Sequence, residues 1–88
     1  MKLSPRRSSF QITIDVLKVI NKGEERPTRI MYASNLSWNS LKSTLSLLVS
    51  KGYICKNCLN QNIKYSITAK GQEILDYYNQ LNSLVQIS

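Results

Sequence analysis

The sequence predicts an α+β, mostly helical domain in which three helices, a β-hairpin and a final helix follow one another along the chain. Three observations predict this order. Apolar residues recur at helical spacing up to Gly52, strand-like alternation replaces that spacing from Tyr53 to Thr68, and helical spacing returns from Ala69 onward. The 88 residues leave room for one such domain with a modest core.

The first helix is predicted from about Ser9 to Lys22, with Ser9 as its N-cap and Gly23 as its C-terminal stop. Its β-branched residues weaken the local helix preference, so tertiary packing must hold it. The side chains expected on its inward face are Phe10, Thr13, Ile14, Leu17 and Ile20.

Two further helices are predicted on either side of a turn at Asn35. The shorter one runs from Arg29 to about Ser34 with Thr28 as its cap, and the longer one runs from Trp38 to Lys51 with Ser37 as its cap. The longer helix is expected to bury Leu41, Leu45, Leu48 and Val49, with Trp38 at the edge of the core. Its opposite face carries Asn39, Ser40, Ser43, Ser46 and Ser50.

Two strands are predicted after Gly52, at Tyr53–Cys58 and Ile63–Thr68, joined by a turn over residues 59–62. Tyr53 is expected in the core. Thr68 is then predicted to cap a last helix from Ala69 to about Leu84.

This order of elements is that of a winged helix-turn-helix, in which two helices joined by a tight turn are followed by a hairpin wing. We therefore expect a basic flexible arm over residues 1–8, a winged helix-turn-helix domain over residues 9–68 and a C-terminal helix over residues 69–88.

The charge balance favours a polyanionic partner. Twelve Lys and Arg residues against five Asp and Glu residues give a formal net charge of +7 and a pI of about 9.7. Charge alone fits DNA, RNA, an anionic membrane or an acidic protein. No apolar run approaches the ~20 residues that span a bilayer, and the first residues lack the apolar stretch of a secretory signal. A cytoplasmic, nucleoid-associated location is expected.

The third helix, about residues 37–51, has the two different faces that a DNA recognition helix needs. One side is apolar, and short hydroxyl and amide side chains on the other can approach base edges and phosphates in the major groove. The hairpin wing, about residues 53–68, would lie beside it. The expected DNA contacts are Arg6, Arg7, Arg29, Ser37, Asn39, Ser40, Lys42, Ser43, Lys56, Asn60, Asn62 and Lys64. The alternative is that these are solvated surface positions.

No enzyme, metal or cofactor chemistry is indicated. The chain has no histidine, no glycine-rich phosphate loop and no nucleophile with an evident base. Cys55 and Cys58 have the spacing of half a zinc site, but residues three apart on a strand point to opposite faces. They are interpreted as ordinary strand residues.

The last helix carries an apolar series at spacings of four, three and four. We expect it to form a homodimer interface through Ile74, Tyr78, Leu81 and Val85. The alternative is that these side chains pack on the first helix of the same chain. A twofold dimer would present two recognition helices to a pseudo-palindromic site.

Three segments resemble a family of small archaeal winged-helix proteins. They are TRIMYASNLSW over residues 28–38, LSLLVSKGYI over residues 45–54 and YSITAKG over residues 65–71. The resemblance implies a winged helix that binds DNA without catalysis and often dimerises through its last helix as an antiparallel coiled coil. By position it implies that Thr28, Arg29 and Tyr32 lie on the helix before the turn, and that Ser37 faces DNA.

The function predicted from these observations is that of a double-stranded DNA-binding transcription regulator without a cofactor. Two alternatives remain open. A non-specific architectural protein of chromatin would contact phosphates in the same way. A winged-helix protein-interaction module would use the same fold as a scaffold.

Overall fold

The computed structural model describes residues 8–86, and side chains from Ser8 to Leu84. Its elements are α1 (Ser9–Asn21), α2 (Pro27–Ser34), α3 (Trp38–Ser50), β1 (Ile54–Leu59), β2 (Asn62–Ile67) and α4 (Ala69–Gln86). This order confirms the predicted α+β, mostly helical winged helix-turn-helix fold, with three helices, a hairpin wing and a C-terminal helix.

Three helices begin at hydroxyl side chains that accept backbone N–H groups. The Ser37 hydroxyl accepts the N–H of Ser40 at 3.2 Å, and the Thr68 hydroxyl accepts the N–H of Gly71 at 3.1 Å, which confirms both predicted caps. The cap of α1 is Ser8, whose hydroxyl accepts the N–H of Gln11 at 3.0 Å. The prediction of Ser9 was wrong by one residue, because the two adjacent serines have equal capping chemistry.

The second helix begins one residue before the predicted cap. Pro27 occupies its first turn and Arg26 is the N-cap residue, without a side-chain hydrogen bond, so the assignment of Thr28 as the cap was wrong. Proline fits the first helical position because its φ is preset and its missing N–H would have no partner there. The helix ends as predicted at Asn35, which has the left-handed φ of 56°.

The two strands form an antiparallel hairpin, called the wing below. Its register runs from Ile54 opposite Ile67 at the base to Leu59 opposite Asn62 at the tip. Asn60 and Gln61 make a two-residue turn with φ values of 49° and 70°. The paired strands therefore extend one residue further toward the tip than predicted and stop one residue short at the base.

The core lies around α1, which packs against α2, α3, α4 and β2. Because neighbours cover it from several sides, Val16 is buried as fully as Ile14 and Leu17. The other buried apolar side chains are Ile20, Ile30, Leu41, Leu45, Leu48, Ile54, Tyr65 and Leu75. Tyr53 packs against this core from a partly buried position.

Three side chains predicted in or beside the core are exposed. Phe10 is 60% exposed because it lies in the first turn of α1, where its ring meets Tyr78 on α4. Trp38 is 49% exposed and Val49 is 37% exposed, and the two lie on the same side of α3. Thr44 is buried on α3 instead, and its hydroxyl donates to the Ser40 carbonyl at 2.9 Å.

Candidate nucleic-acid interface

The outward side of α3 is built from small uncharged polar side chains. Asn39, Ser43, Ser46 and Ser50 follow one another at spacings of four, three and four, so they form one ridge along the helix, and all four are exposed. The ridge lies opposite the buried Leu41 and Leu48. No long side chain on this ridge holds the helix backbone away from a partner surface.

A shallow groove runs between α3 and the first turns of α1. It has a volume of about 430 Å³ and is lined by Ser9, Ile12, Thr13, Asn39, Ser40, Ser43, Thr44 and Leu47. The groove brings together three of the predicted contact residues, Asn39, Ser40 and Ser43. Helix α1 begins at Ser9, which lines this groove, so the chain enters α1 beside the predicted contact residues.

The start of α2 forms a second concave surface, of about 670 Å³. It is lined by Glu24, Arg26, Thr28, Arg29, Tyr32 and Ala33. Arg29, which the sequence predicted as a contact, stands here beside Arg26, and Tyr32 is 75% exposed. Among the described residues no side chain caps the start of α2, so its first N–H groups and the positive end of the helix dipole face this surface.

The wing presents two different faces. Side chains of directly paired residues lie on the same face, so Lys56 shares a face with Tyr65 and Lys64 shares the opposite face with Asn57. Asn62, opposite Leu59 near the tip, lies on the face of Lys64, and Asn60 lies in the turn. The two predicted wing lysines are both exposed but point to opposite sides.

The net positive charge is concentrated in this half of the sequence, because all the acidic residues lie outside it. Residues 26–72 contain seven of the twelve Lys and Arg residues and none of the five Asp and Glu residues. They are Arg26, Arg29, Lys42, Lys51, Lys56, Lys64 and Lys70. The carboxylates lie on α1, on the connection before α2 and on α4, so the unit formed by α2, α3 and the wing is purely cationic.

Two predicted contact residues, Arg6 and Arg7, lie outside the described residues. Ser37 is the N-cap of α3, and Lys42 is exposed on the same helix. Tyr32 and Asn57 were not among the predicted contacts, and the position of Asn57 could be assigned only from the strand register.

The wing cysteines form no site with neighbouring ligands. Cys55 and Cys58 are exposed with free thiols, and their partners across the hairpin are Ser66 and Ile63. Between residues 8 and 86 no group of three or more His, Cys, Asp and Glu side chains is arranged to hold a metal ion. In the same part of the chain, no helix is long and apolar enough to cross a membrane.

The fold and this surface define a class of protein, the winged helix-turn-helix proteins, and comparison with known families gives the same answer. The profile of the family described as winged helix-turn-helix matches residues 6–86, and the chain belongs to this family. An uncharacterized protein of Methanocaldococcus jannaschii, MJ0287, is 35% identical over 82 residues, which cover 93% of this chain and 77% of that protein.

Solved structures share the fold. The DNA-binding protein Sso10a-2 from Sulfolobus solfataricus superposes with a TM-score of 0.77 at 22% identity, covering 91% of this chain and 83% of its own. The transcriptional regulator BldR from the same organism superposes with a TM-score of 0.73 at 18% identity, covering 84% of this chain and 56% of its own. The resemblance to small archaeal winged-helix proteins is thereby confirmed.

Proposed function

We propose that this protein is a double-stranded DNA-binding transcription regulator that places α3 in the major groove and the wing against the adjoining backbone. The observation that carries the proposal is the ridge of Asn39, Ser43, Ser46 and Ser50, which lies within residues 26–67, a segment with six Lys and Arg residues and no Asp or Glu. Short polar side chains can meet base edges, while the flanking cations meet phosphates.

The cations have separate roles in this arrangement. Lys42 flanks the ridge on α3, Arg26 and Arg29 adjoin the uncapped start of α2, and Lys64 lies on the polar face of the wing. Phosphate oxygens are the natural partners of such groups because charge-assisted hydrogen bonds and the helix dipole both favour an anion.

The segment before α1 adds to this surface. Ser9 lines the same groove as Asn39 and Ser40, and an extended chain advances at most ~3.5 Å per residue. Arg6 and Arg7 precede Ser9 by three and two residues in the sequence, and we propose that they contact the DNA backbone that flanks the ridge. This proximity in the sequence supports both arginines as DNA contacts.

In this proposal the protein acts by binding alone, as a non-enzymatic regulator without a cofactor, and its location follows that of nucleoid DNA. We also propose that it binds as a homodimer through α4. The names of Sso10a-2 and BldR, a DNA-binding protein and a transcriptional regulator, support the proposal by likeness of fold.

An architectural DNA-binding role is the second candidate. Three of the four ridge side chains are serines, whose hydroxyls bond to phosphates and to any base. A surface of this kind can bind DNA with little dependence on sequence. The two candidates differ in the ratio of specific to non-specific affinity.

A fluorescence-anisotropy titration of a labelled random duplex across a salt series tests the proposal, with unlabelled genomic fragments as competitors. We expect affinity to fall steeply with salt, and Lys42→Ala to lower the slope of log affinity against log salt by about 1. Lys22→Ala, at the far end of α1, is the matched control and should leave the slope unchanged.

Competition by the unlabelled genomic fragments distinguishes a regulator from an architectural protein. Displacement by a few fragments far better than by bulk DNA supports the regulator, and equal displacement by all fragments supports the architectural role. If no duplex binds at low salt, DNA binding is refuted and the protein-interaction module becomes the leading interpretation.

A further inference from the structure

We propose that Asn39 reads an adenine in the major groove, so that the preferred site contains an A·T pair opposite the first turn of α3. The inference rests on the proposed function and specifies which base the recognition helix selects. It depends on where Asn39 lies on α3, on which polar groups of the helix are already bonded and on where the helix carries charge.

Asn39 lies where a recognition helix reaches the bases. It is the second residue of α3 and begins the ridge of Asn39, Ser43, Ser46 and Ser50. Side chains near the N-terminus of a recognition helix are those that contact base edges. Ser50, at the other end, is 11 residues further along, or ~16 Å at the rise of an α-helix.

The hydrogen-bonding capacity of α3 is partly used within the helix. The Ser37 hydroxyl accepts the N–H of Ser40, and the Ser50 hydroxyl donates to the Leu47 carbonyl at 2.8 Å. The Asn39 amide makes no hydrogen bond within residues 8–86 and is exposed. Its carbonyl and amino groups are both available to a ligand.

The chemistry of this amide matches adenine. In the major groove, adenine presents a donor at N6 beside an acceptor at N7, and an Asn amide pairs with both through its oxygen and its nitrogen. The serine hydroxyls of the ridge can donate or accept and so do not select between bases. Asn39 is therefore the selective member of the ridge.

The charge of α3 argues against guanine as the base read by the ridge. Guanine presents two acceptors, which Arg or Lys recognises best. Between Trp38 and Ser50 the only charged residue is Lys42, three positions after Asn39 and therefore about 60° around the helix from it. Lys42 lies beside the ridge, a position suited to a phosphate contact, so the base-reading position is left to Asn39.

The test uses the full chain and a duplex selected by it from a random library. Each adenine is replaced in turn by 7-deazaadenine, which lacks the N7 acceptor but keeps base pairing and the minor-groove edge. We expect one replacement to weaken binding on the order of tenfold, the size of one good base contact. Asn39→Ala should lose a similar factor on the natural duplex and become insensitive to that replacement.

Asn79→Ala, an exposed position on α4, is the matched control and should keep the sensitivity of the unmodified protein. Circular dichroism checks that both variants fold. If duplexes bind but no 7-deazaadenine replacement affects binding, the adenine assignment is overturned while the proposed function stands. The same holds if only 7-deazaguanine weakens binding and Lys42→Ala abolishes that effect. If no duplex binds, the proposed function fails, and the inference fails with it.

Discussion

Gly71 is the residue at which α4 meets the base of the wing. The first turn of α4 is tied to this base by Thr68, whose hydroxyl donates to the Gly52 carbonyl at 2.7 Å and accepts the N–H of Gly71. The Thr68 N–H donates to the Tyr53 carbonyl at 3.0 Å. These bonds join the end of α3, both strands and α4 at one point, and they leave no room for a side chain at residue 71.

We expect Gly71→Ala to destabilise the protein by about 1–3 kcal/mol, the usual cost of overpacking. A Cβ at this position would collide with the Tyr53 carbonyl oxygen and lie 2.8 Å from Cγ1 of Ile67. Alanine is the better helix former by ~1 kcal/mol, so the two effects have opposite signs. Thermal unfolding decides between them, and an increase in Tm would contradict the close approach of α4 to the wing.

The wing turn shows how an element can carry backbone strain. Two-residue hairpin turns in which both φ values are positive favour Asn followed by Gly. Here Asn60 satisfies the first position, but Gln61 holds a φ of 70° that is unfavourable for a residue with a Cβ. The pairing of the strands and their contacts with the core therefore outweigh the unfavourable backbone conformation of Gln61.

We expect Gln61→Gly to stabilise the wing and raise the free energy of unfolding by about 0.5–1 kcal/mol, because the strain at the turn exceeds the entropic cost of glycine. Chemical denaturation measures this change. The matched control is Gln80→Gly in the exposed middle of α4, which should lower stability by ~1 kcal/mol. A loss of stability in both variants would refute a strained turn at Gln61.

Elements were predictable from sequence where local chemistry decides them. Caps at Ser37 and Thr68 and the turn at Asn35 depend on groups within a few residues, and all three were predicted. Which side of each element is covered depends on distant neighbours. The exposure of Trp38 and the burial of Thr44 were missed for this reason. Both residues lie at the boundary between the apolar and polar faces of α3, where the sequence pattern does not determine burial.

In the candidate site, too, the features set by local sequence were predicted and those set by distant neighbours were not. The polar outward side of α3 was read directly from helical spacing, because exposed polar residues recur there without interruption. The opposite orientation of Lys56 and Lys64 could be assigned only once the pairing of each with Tyr65 and Asn57 was known. Surfaces formed between elements, such as the groove between α1 and α3, cannot be predicted from the residue pattern of one segment, because they depend on how two elements pack.

At the scale of the whole molecule, an apolar surface on α4 and the start of α1 is left uncovered by the part of the chain that the structure describes. Phe10, Tyr77, Leu81 and Leu84 are each more than half exposed. A cleft of about 310 Å³ lies between the start of α1 and α4, lined by Phe10, Ile74, Tyr77, Tyr78, Leu81 and Asn82. Of the residues predicted for dimerisation, Ile74 and Tyr78 pack partly on the core, and Leu81 is exposed.

The Tyr78 hydroxyl donates to the Gln11 side chain at 3.3 Å, and the Lys18 ammonium lies 4.9 Å from the Tyr78 ring centroid. Tyr78 therefore fixes α4 on α1 and leaves Leu81 facing outward. The side chain of Val85 lies outside the described part of the chain. A second copy of α4 is the partner that we expect to cover this surface, because burial of each large apolar side chain contributes about 1.5–3 kcal/mol.

Leu81→Glu tests this dimer. We expect light scattering during gel filtration to give twice the 10.1 kDa chain mass for the unmodified protein and 10.1 kDa for the variant, because the new carboxylates would be buried in the interface. Asn79→Glu introduces the same charge on the other side of α4 and should remain dimeric.

Loss of the dimer should also weaken binding to a two-half-site duplex by about 100-fold, since the second half-site is no longer bound intramolecularly. An unmodified protein of 10.1 kDa at micromolar concentration would exclude a stable dimer, and two chains per duplex would then have to assemble on the DNA.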